Sequence, residues 1–264
     1  MLAGNTLVFD IETVPDARSG STIYGLGDLN EEDVLKAMRT KRMEKTGYTD
    51  FIAPHMQKIV AISVALRSES NFRVWSIGTA ESDEREILTR FFEGLEKYEP
   101  TMVSWNGMAF DLPVIHYRSL VHGVAAPHYW DVGNIKQEYR FNNYISRFHW
   151  RHIDLMDALA GFQNRCWAPL DEIASMLGLP GKSGMSGSDV WSAYQNQDIV
   201  GIRNYCESDV MNTYLIYLRF EQIRGNLDTD GLYQELDRVK TELNRTGSDH
   251  LSDFAQYCAS QYSG

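Results

Sequence analysis

The first apolar segment, residues 6–12 (TLVFDIE), is the feature that most constrains the fold. Phe9 and Ile11 alternate with Asp10 and Glu12, and this two-residue period is typical of a β-strand. Side chains two positions apart leave a strand on the same face, with Cα atoms roughly 6–7 Å apart. We therefore predict a first strand near the centre of a sheet, with two carboxylates on one face.

The segments that follow alternate between strand and helix patterns. Residues 59–66 (IVAISVAL) and 72–78 (FRVWSIG) flank a polar turn, which predicts two paired strands. A helix is predicted over residues 82–98, with Ser82 as its N-cap and apolar residues at helical spacing. Beyond it, the pattern predicts a strand over 102–107 and a helix over 111–122.

The second half of the chain is mainly helical. We predict a strand edge passing into a helix at 152–161, short helices at 170–179 and 188–195, a long helix at 198–224 and polar helices to residue 264. Strands that alternate with helices indicate an α/β fold, a mixed sheet flanked by helices, and the close connections make its first three strands antiparallel. We expect one main domain over 1–225 and a C-terminal helical extension over 226–264.

A Gly-rich and charged stretch interrupts this pattern between the first two strands, over residues 16–55. Its second half has the composition of a short exposed helix. We interpret this stretch as an insertion able to fold over a site.

Composition limits the classes of function. The formal net charge of −11 argues against a protein that grips long duplexes by neutralising many phosphates. Three widely spaced cysteines, Cys166, Cys206 and Cys258, fit neither a disulfide framework nor a zinc cluster, so we interpret them as buried or incidental thiols. The sequence shows neither a signal peptide nor a membrane span, and we expect a soluble, cytoplasmic protein without a membrane partner.

Acidic residues recur at three separate places. Two carboxylates on one buried strand face are costly unless a divalent cation bridges them, although Asp10 and Glu12 at a strand end could instead meet water. Asp111 follows Asn106 where a strand ends and a helix begins, and capping that helix is its ordinary role. Asp209 lies on the long helix and could equally be solvated. Each signal alone is weak.

Together, these three segments resemble the motifs of a known superfamily. FDIET, NGMAFDLPVI and YCESD are similar to the three motifs of the DEDD 3′-5′ exonucleases in their tyrosine form, with a ribonuclease H-like fold. The second motif is most similar to that of family B DNA polymerases. HIDLMDALAG and LDEIASMLGLPGK further resemble the stand-alone bacterial exonucleases described as family B polymerase-like. The resemblance covers roughly residues 5–225.

The resemblance implies two-metal-ion catalysis by five residues. Asp10, Glu12 and Asp209 would hold one ion, and Asp10, together with Asp111 through water, would hold the other. Mg²⁺ or Mn²⁺ suits such an all-oxygen site, whereas zinc usually requires His or Cys. Tyr205, four positions before Asp209 on the same helix face, would orient the attacking water.

The resemblance also suggests residues that bind substrate. The backbone at Thr13 and Val14 would contact the terminal 3′-hydroxyl, and Asn106 and Phe110 would hold the last nucleotides. Asn106 could equally be a turn residue, and Phe110 a core aromatic.

A second group of substrate-binding candidates lies further along the chain. Aromatic and basic residues interleave over 139–151, including Arg147, a pattern that suits single strands, although a half-buried connection would look similar. Lys182 is a candidate phosphate contact, with a mobile surface lysine as the alternative. His152 and Asp154 are expected to give structural support rather than to ligate a metal.

The sequence therefore predicts an enzyme that removes nucleotides from the 3′ end of single-stranded DNA. An exoribonuclease or short-oligonucleotide trimming enzyme is the alternative, because the same carboxylates hydrolyse either backbone. A third interpretation is a non-catalytic nucleic-acid-binding subunit of a repair or replication complex. The C-terminal helices are candidates for contact with such a partner or with a second copy.

Overall fold

A mixed five-stranded sheet forms the centre of the protein. The structure is a computed structural model that describes residues 2, 4–181 and 184–261. The strands within these residues are β1 (Thr6–Pro15), β2 (Gln57–Arg67), β3 (Phe72–Ser76), β4 (Thr101–Ser104) and β5 (His152–Asp154). Their order across the sheet is β3-β2-β1-β4-β5, which confirms a first strand at the centre.

Strand directions follow the prediction. β1 pairs with β2, and β2 with β3, in antiparallel orientation. β4 pairs in parallel with β1 and with β5. The sheet is therefore antiparallel through its first three strands and parallel beyond them.

β1 is longer than its parallel neighbour. β4 pairs only with Thr6, Leu7 and Val8, so β1 has no strand partner on that side after Val8 within the described residues. On its other side, β1 stays paired with β2 through a bulge between Glu12 and Thr13. The half of β1 that carries both acids thus has one open edge.

Ten α-helices surround the sheet in the described part of the chain. They are α1 (Ala17–Tyr24), α2 (Glu31–Thr46), α3 (Glu84–Tyr98), α4 (Asp111–His122), α5 (Leu155–Leu159), α6 (Leu170–Met176), α7 (Val190–Gln195), α8 (Ile199–Ile223), α9 (Thr229–Thr246) and α10 (Ser252–Ser260). The insertion is more helical than predicted, because α1 precedes the expected helix α2.

Two hydrophobic clusters cover the two faces of the sheet. Phe9 and Ile11 belong to a cluster with residues of α3 and α4. Val8 belongs to the other cluster, with the buried side of α8. Because side chains alternate along a strand, Asp10 and Glu12 leave β1 toward α8.

The predicted N-cap of α3 is wrong by one residue. Asp83 is the cap, and its carboxylate accepts a 2.8 Å hydrogen bond from the Glu86 backbone N–H. The Ser82 hydroxyl accepts instead from the backbone N–H of Thr79, 3.0 Å away. Ser82 thus stabilises the preceding turn, which leaves the helix start to Asp83.

The C-terminal helices are amphipathic rather than polar throughout. α9 buries Leu232, Leu236, Val239 and Leu243 in the same cluster as α8. The helical character of this segment was predicted, whereas its apolar face was not. The boundary at residue 225 stays a prediction.

A buried ion pair fastens α9 to the sheet. Arg67, at the end of β2, is 1% exposed, and its guanidinium lies 2.8 Å from the carboxylate of Glu235, which is 3% exposed. Arg67 also donates to the backbone carbonyls of Leu2 and Gly4, at 2.8 and 3.0 Å. Among the described residues, none of the helices combines the length and apolar character needed to cross a bilayer.

Candidate active site

The carboxylates of Asp10 and Glu12 lie beside the thiol of Cys206. Ligand atoms of these three residues lie within 4.8 Å of one another. Cys206 is fully buried on α8, and its thiol donates to the backbone carbonyl and the carboxylate of Asp10, at 3.4 and 3.5 Å. The prediction of a buried thiol is confirmed for Cys206, whereas its contact with Asp10 was not predicted. The missed signal was its position, three residues before Asp209 on one helix face.

Asp111 reaches the open edge of β1 from the start of α4. Asp111 is 4% exposed, and its carboxylate lies near its own backbone N–H and that of Ile11, both of which lower its pKa against the effect of burial. The N-cap of α4 is Phe110, without a side-chain cap. Asp111 therefore does not cap the helix in the ordinary way, because its carboxylate is directed to β1.

Burial and mutual repulsion shift the pKa values of the acids around Asp10. The pKa of Asp10 is raised well above its ordinary value, first by burial and then by the charges of Asp111, Glu12 and Asp209. Burial is also the main cause that raises the pKa of Asp111 to about 7, and Asp154 adds to it. The negative charges of these acids repel one another, and an added positive charge would offset that repulsion.

The donor set fits hard divalent cations. Asp10, Glu12, Asp111 and Asp209 offer carboxylate oxygens, the ligands that Mg²⁺ and Mn²⁺ prefer. Their repulsion is the observation that supports the fit, because a bound cation offsets it.

Tyr205 and Asp209 of α8 form a hydrogen-bonded pair close to Asp10 and Glu12. The Tyr205 hydroxyl donates to the Asp209 carboxylate. The pKa of Tyr205 is raised above its ordinary value, first by burial and then by the charge of Asp209. Tyr205 therefore stays protonated at neutral pH and serves as a hydrogen-bond donor.

The loop between β4 and α4 is held by Asp154. Its carboxylate accepts from the backbone N–H groups of Asn106 and Met108, at 3.0 and 2.9 Å. Asn106 has a φ of +65°, and its carbonyl accepts from Ala109 and Phe110, so it is a turn residue. Asp154 thus fixes the loop that delivers Asp111, in agreement with the expected supporting role.

His152 is buried beside this loop. Its imidazole Nε2 lies 2.8 Å from the Ser104 hydroxyl, and Nδ1 lies 3.2 Å from the Met108 sulfur. Burial is the main cause that lowers the pKa of His152 to about 3. His152 is therefore neutral and packs the loop, as expected for a structural residue.

The remaining substrate-binding candidates fall in different surroundings. Thr13 and Val14 pair with β2 just after the bulge, and Val14 is fully buried. Phe110 is half-buried, and its ring centroid lies 5.5 Å from that of Phe51. Lys182 lies outside the described residues.

Arg147 forms an ion pair with the buried carboxylate of Asp157. Its guanidinium donates two 2.6 Å hydrogen bonds to the carboxylate of Asp157. Within the same predicted binding stretch, Tyr139 and Tyr144 are fully buried core residues, whereas Phe141 and Phe148 are exposed. The stretch is thus part core and part surface, and a binding role for Arg147 stays a prediction.

The chain was compared with protein families and with known proteins, and a family model matches most of its length. Residues 49–258 match a family described as predicted 3′-5′ exonucleases related to the exonuclease domain of PolB. A 45-residue segment is 49% identical to the catalytic subunit of DNA polymerase epsilon from Saccharomyces cerevisiae, covering 17% of this chain and 2% of that one. A 73-residue segment is 36% identical to the corresponding polymerase of Dictyostelium discoideum, covering 26% and 3%.

Among solved structures, the chain is similar to exonuclease I. A product-bound exonuclease I is 11% identical with a TM-score of 0.36, covering 86% of this chain and 49% of that one. E. coli exonuclease I in complex with a 5cy-dT13 oligonucleotide is 12% identical with a TM-score of 0.32, covering 87% and 46%. The chain thus spans less than half of these structures and 2–3% of the polymerase chains.

The family match extends over well above half of the chain and includes the second and third motifs. The mixed sheet, antiparallel and then parallel, is the one expected for a ribonuclease H-like fold. The protein belongs to the family of predicted 3′-5′ exonucleases related to the exonuclease domain of PolB, within the DEDD exonuclease superfamily.

Proposed function

We propose that the protein hydrolyses single-stranded DNA from its 3′ end with two divalent ions, Mg²⁺ or Mn²⁺. The observation that carries this proposal is the group of acidic side chains around Asp10, whose pKa is raised by burial and by three neighbouring carboxylates. Buried acids that repel one another are typical of metal-dependent catalytic sites. Family membership supports the same reaction class.

Each acid has a role in the proposed reaction. Asp10, Glu12 and Asp209 would hold one ion, and Asp10, together with Asp111 through water, would hold the other. When bound, the two ions stabilise the attacking and leaving oxygens of an in-line displacement. Water forms a bond to the phosphorus of the last phosphodiester, and the bond from phosphorus to the preceding 3′ oxygen breaks. The products are a nucleoside 5′-monophosphate and a strand with a new 3′-hydroxyl.

Other side chains position the reacting groups. The Tyr205 hydroxyl, which donates to Asp209, orients the attacking water through the same oxygen. The backbone at Thr13 and Val14 contacts the terminal 3′-hydroxyl and so selects strand ends. Asp154 acts through the loop it holds, by fixing the start of α4 and with it Asp111.

Two observations favour DNA over RNA as the substrate. The family is related to the exonuclease domain of PolB, and the two segments of this chain that match other proteins are similar to DNA polymerases. A single strand is favoured because the net charge of −11 does not suit neutralisation of a long duplex.

The proposal is tested with single strands of DNA and RNA that have the same sequence and a label at the 5′ end. The protein is incubated with each strand in the presence of Mn²⁺ or Mg²⁺. We expect a ladder of DNA products shortened from the 3′ end, lost in EDTA and in the Asp10→Asn variant. A strand blocked at its 3′-hydroxyl serves as the control for direction. Faster shortening of RNA would contradict the DNA preference, and no shortening of either strand would refute the nuclease assignment.

A further inference from the structure

The pairing of β1 with β2 shifts by one residue beside the acids of β1. Glu12 pairs with Ala61, and the next residue of β1 pairs with Ile59. β2 thus has one residue more than β1 at this point, Val60. An extra residue of this kind forms a β-bulge, which bends its strand and redirects the neighbouring groups. The course of the β1 backbone just after Glu12 therefore depends on how β2 is held.

Glu84 holds β2 directly beside this bulge. Ile59, the partner of Thr13, donates its backbone N–H to the Glu84 carboxylate at 2.7 Å. In the described part of the chain, β3 pairs with β2 only over residues 63–67 and does not reach Ile59. The Glu84 side chain, at the start of α3, thus supplies an acceptor where the sheet has narrowed.

The same carboxylate is joined to α4 by Arg118. The Arg118 guanidinium donates to both Glu84 oxygens, at 2.8 and 2.6 Å, and lies 2.7 Å from the carboxylate of Asp16. The exposed fractions of these side chains are 6% for Arg118, 11% for Asp16 and 12% for Glu84. His122, one turn further along α4, lies 2.8 Å from the Glu84 carboxylate. A paired carboxylate this far from solvent has a fixed geometry.

These contacts connect the parts of the chain that form the candidate active site. Asp16 follows the last residue of β1 and caps α1, the first helix of the insertion. Arg118 lies seven residues after Asp111 on α4, which is about two helical turns, so the two side chains share one face of the helix. Glu84 and Arg118 therefore fix the end of β1, the bulge of β2 and the helix that begins with Asp111 relative to one another.

We propose that Glu84 is a positioning residue that sets the preference of the site for a free 3′-hydroxyl. This inference rests on the proposed function, in which the backbone at Thr13 and Val14 contacts the terminal hydroxyl of the strand. A hydrogen bond weakens steeply when its distance or angle departs from the optimum, so the bulge has to be held in one shape. Glu84 acts through the paired backbone of Ile59 and Thr13.

Binding of two oligodeoxynucleotides that differ only in the last nucleotide tests this proposal. One strand ends in a 3′-hydroxyl and the other in a 2′,3′-dideoxynucleotide, and both are measured with Mg²⁺ in an Asp209→Asn background, which keeps the strands intact. We expect the background protein to bind the 3′-hydroxyl strand about tenfold more tightly, the effect of one well-placed hydrogen bond. Glu84→Met should reduce this ratio to within about twofold, because the Ile59 N–H and Arg118 lose their acceptor.

The ratio of the two affinities distinguishes positioning from a general loss of structure. A smaller folded fraction weakens the binding of both strands equally and leaves the ratio unchanged. Glu84→Gln keeps the size of the side chain and one acceptor oxygen, so it provides a folded variant if Glu84→Met does not fold. It should lower the ratio by a smaller factor. Circular dichroism establishes that each variant is folded.

Glu86→Met is the matched control, because Glu86 lies in the same turn of α3 and its carboxylate pairs with Arg90 at the surface. It should keep the ratio of the background protein. An unchanged ratio in a folded Glu84 variant, or a background protein that binds both strands equally, would overturn the proposal. Hydrolysis by the protein that retains Asp209 is measured separately, so that absence of nuclease activity is distinguished from failure of Glu84 to position the site.

Discussion

The carboxylate of Asp111 lies near the backbone N–H of Ile11, the residue between Asp10 and Glu12, and this N–H lowers the pKa of Asp111 against the effect of burial. This contact joins the second sequence motif to the first without a bridging strand, because β4 ends its pairing with β1 at Val8. Asp111, from the start of α4, thus lies at the edge of β1 where no strand of the described residues pairs with it. The other acids of the site lie near the same part of β1.

Replacing Asp111 by Asn should change how the metal-free protein responds to pH. Burial raises the pKa of Asp111 to about 7, while an unfolded Asp has a pKa near 4. Between about pH 4 and 7 only the folded state holds this proton, so the free energy of unfolding falls as pH rises across that window. Above about pH 7 this contribution is constant.

Urea unfolding in EDTA at pH 5 and pH 8 measures the effect. The wild-type protein should lose more stability over this interval than Asp111→Asn, by on the order of a few kcal/mol. Added Mg²⁺ should reduce the difference, because a bound cation displaces the proton. The same pH response in both proteins would show that Asp111 is not protonated in the folded state.

Asp154→Ala should impair the reaction without unfolding the protein. The substitution removes the acceptor of the Asn106 and Met108 backbone N–H groups, so the loop no longer fixes Asp111. We expect a drop in kcat of about 10- to 100-fold and a higher Mg²⁺ concentration for half-maximal rate. Asp189→Ala, which removes a surface acid bonded to Ser186, is the control. Equal rates for the two variants would contradict a positioning role.

Tyr205→Phe should lower kcat by about a hundredfold and leave KM nearly unchanged. The reason is that only the hydrogen-bonding hydroxyl is lost, while the buried ring remains. Because burial, and then the charge of Asp209, raise the pKa of Tyr205, the phenol does not ionise in the neutral range. The rate should therefore depend on pH in the same way in both proteins. Disappearance of an alkaline limb in the variant would show that Tyr205 acts as a base.

Glu235→Gln should destabilise the protein by about 3–5 kcal/mol, because it leaves the Arg67 guanidinium buried without its counter-charge. Chemical denaturation followed by circular dichroism measures the loss. The double variant Arg67→Met with Glu235→Leu should recover most of it, since both charges are then absent. A loss below about 1 kcal/mol for Glu235→Gln would mean that α9 is held by its apolar face alone.

Local patterns were sufficient to predict much of the fold. The alternation around Asp10 predicted the central strand, and helical spacing predicted α3, α4 and α8. Ser82 and Asp83 are adjacent and both are common caps, so the sequence alone did not distinguish them.

Contacts between distant residues were not predictable in the same way. Arg67 and Glu235 are 168 positions apart, and nothing in either neighbourhood indicates their pairing. Cys206 lies three residues before Asp209 on α8, and this spacing on one helix face is the signal that its contact with Asp10 could have been predicted from. Phe51 lies in a segment whose composition gave no sign of its contact with Phe110.

The open edge of β1 has a consequence for solubility. Unpaired backbone groups at a strand edge invite an added strand from another molecule, which is a common route to aggregation. The Asp111 carboxylate lies near the Ile11 N–H and brings a buried acid to that edge. Asp111 and the start of α4 therefore cover part of the edge at which an added strand would have to pair, and Ile11 is only 5% exposed there.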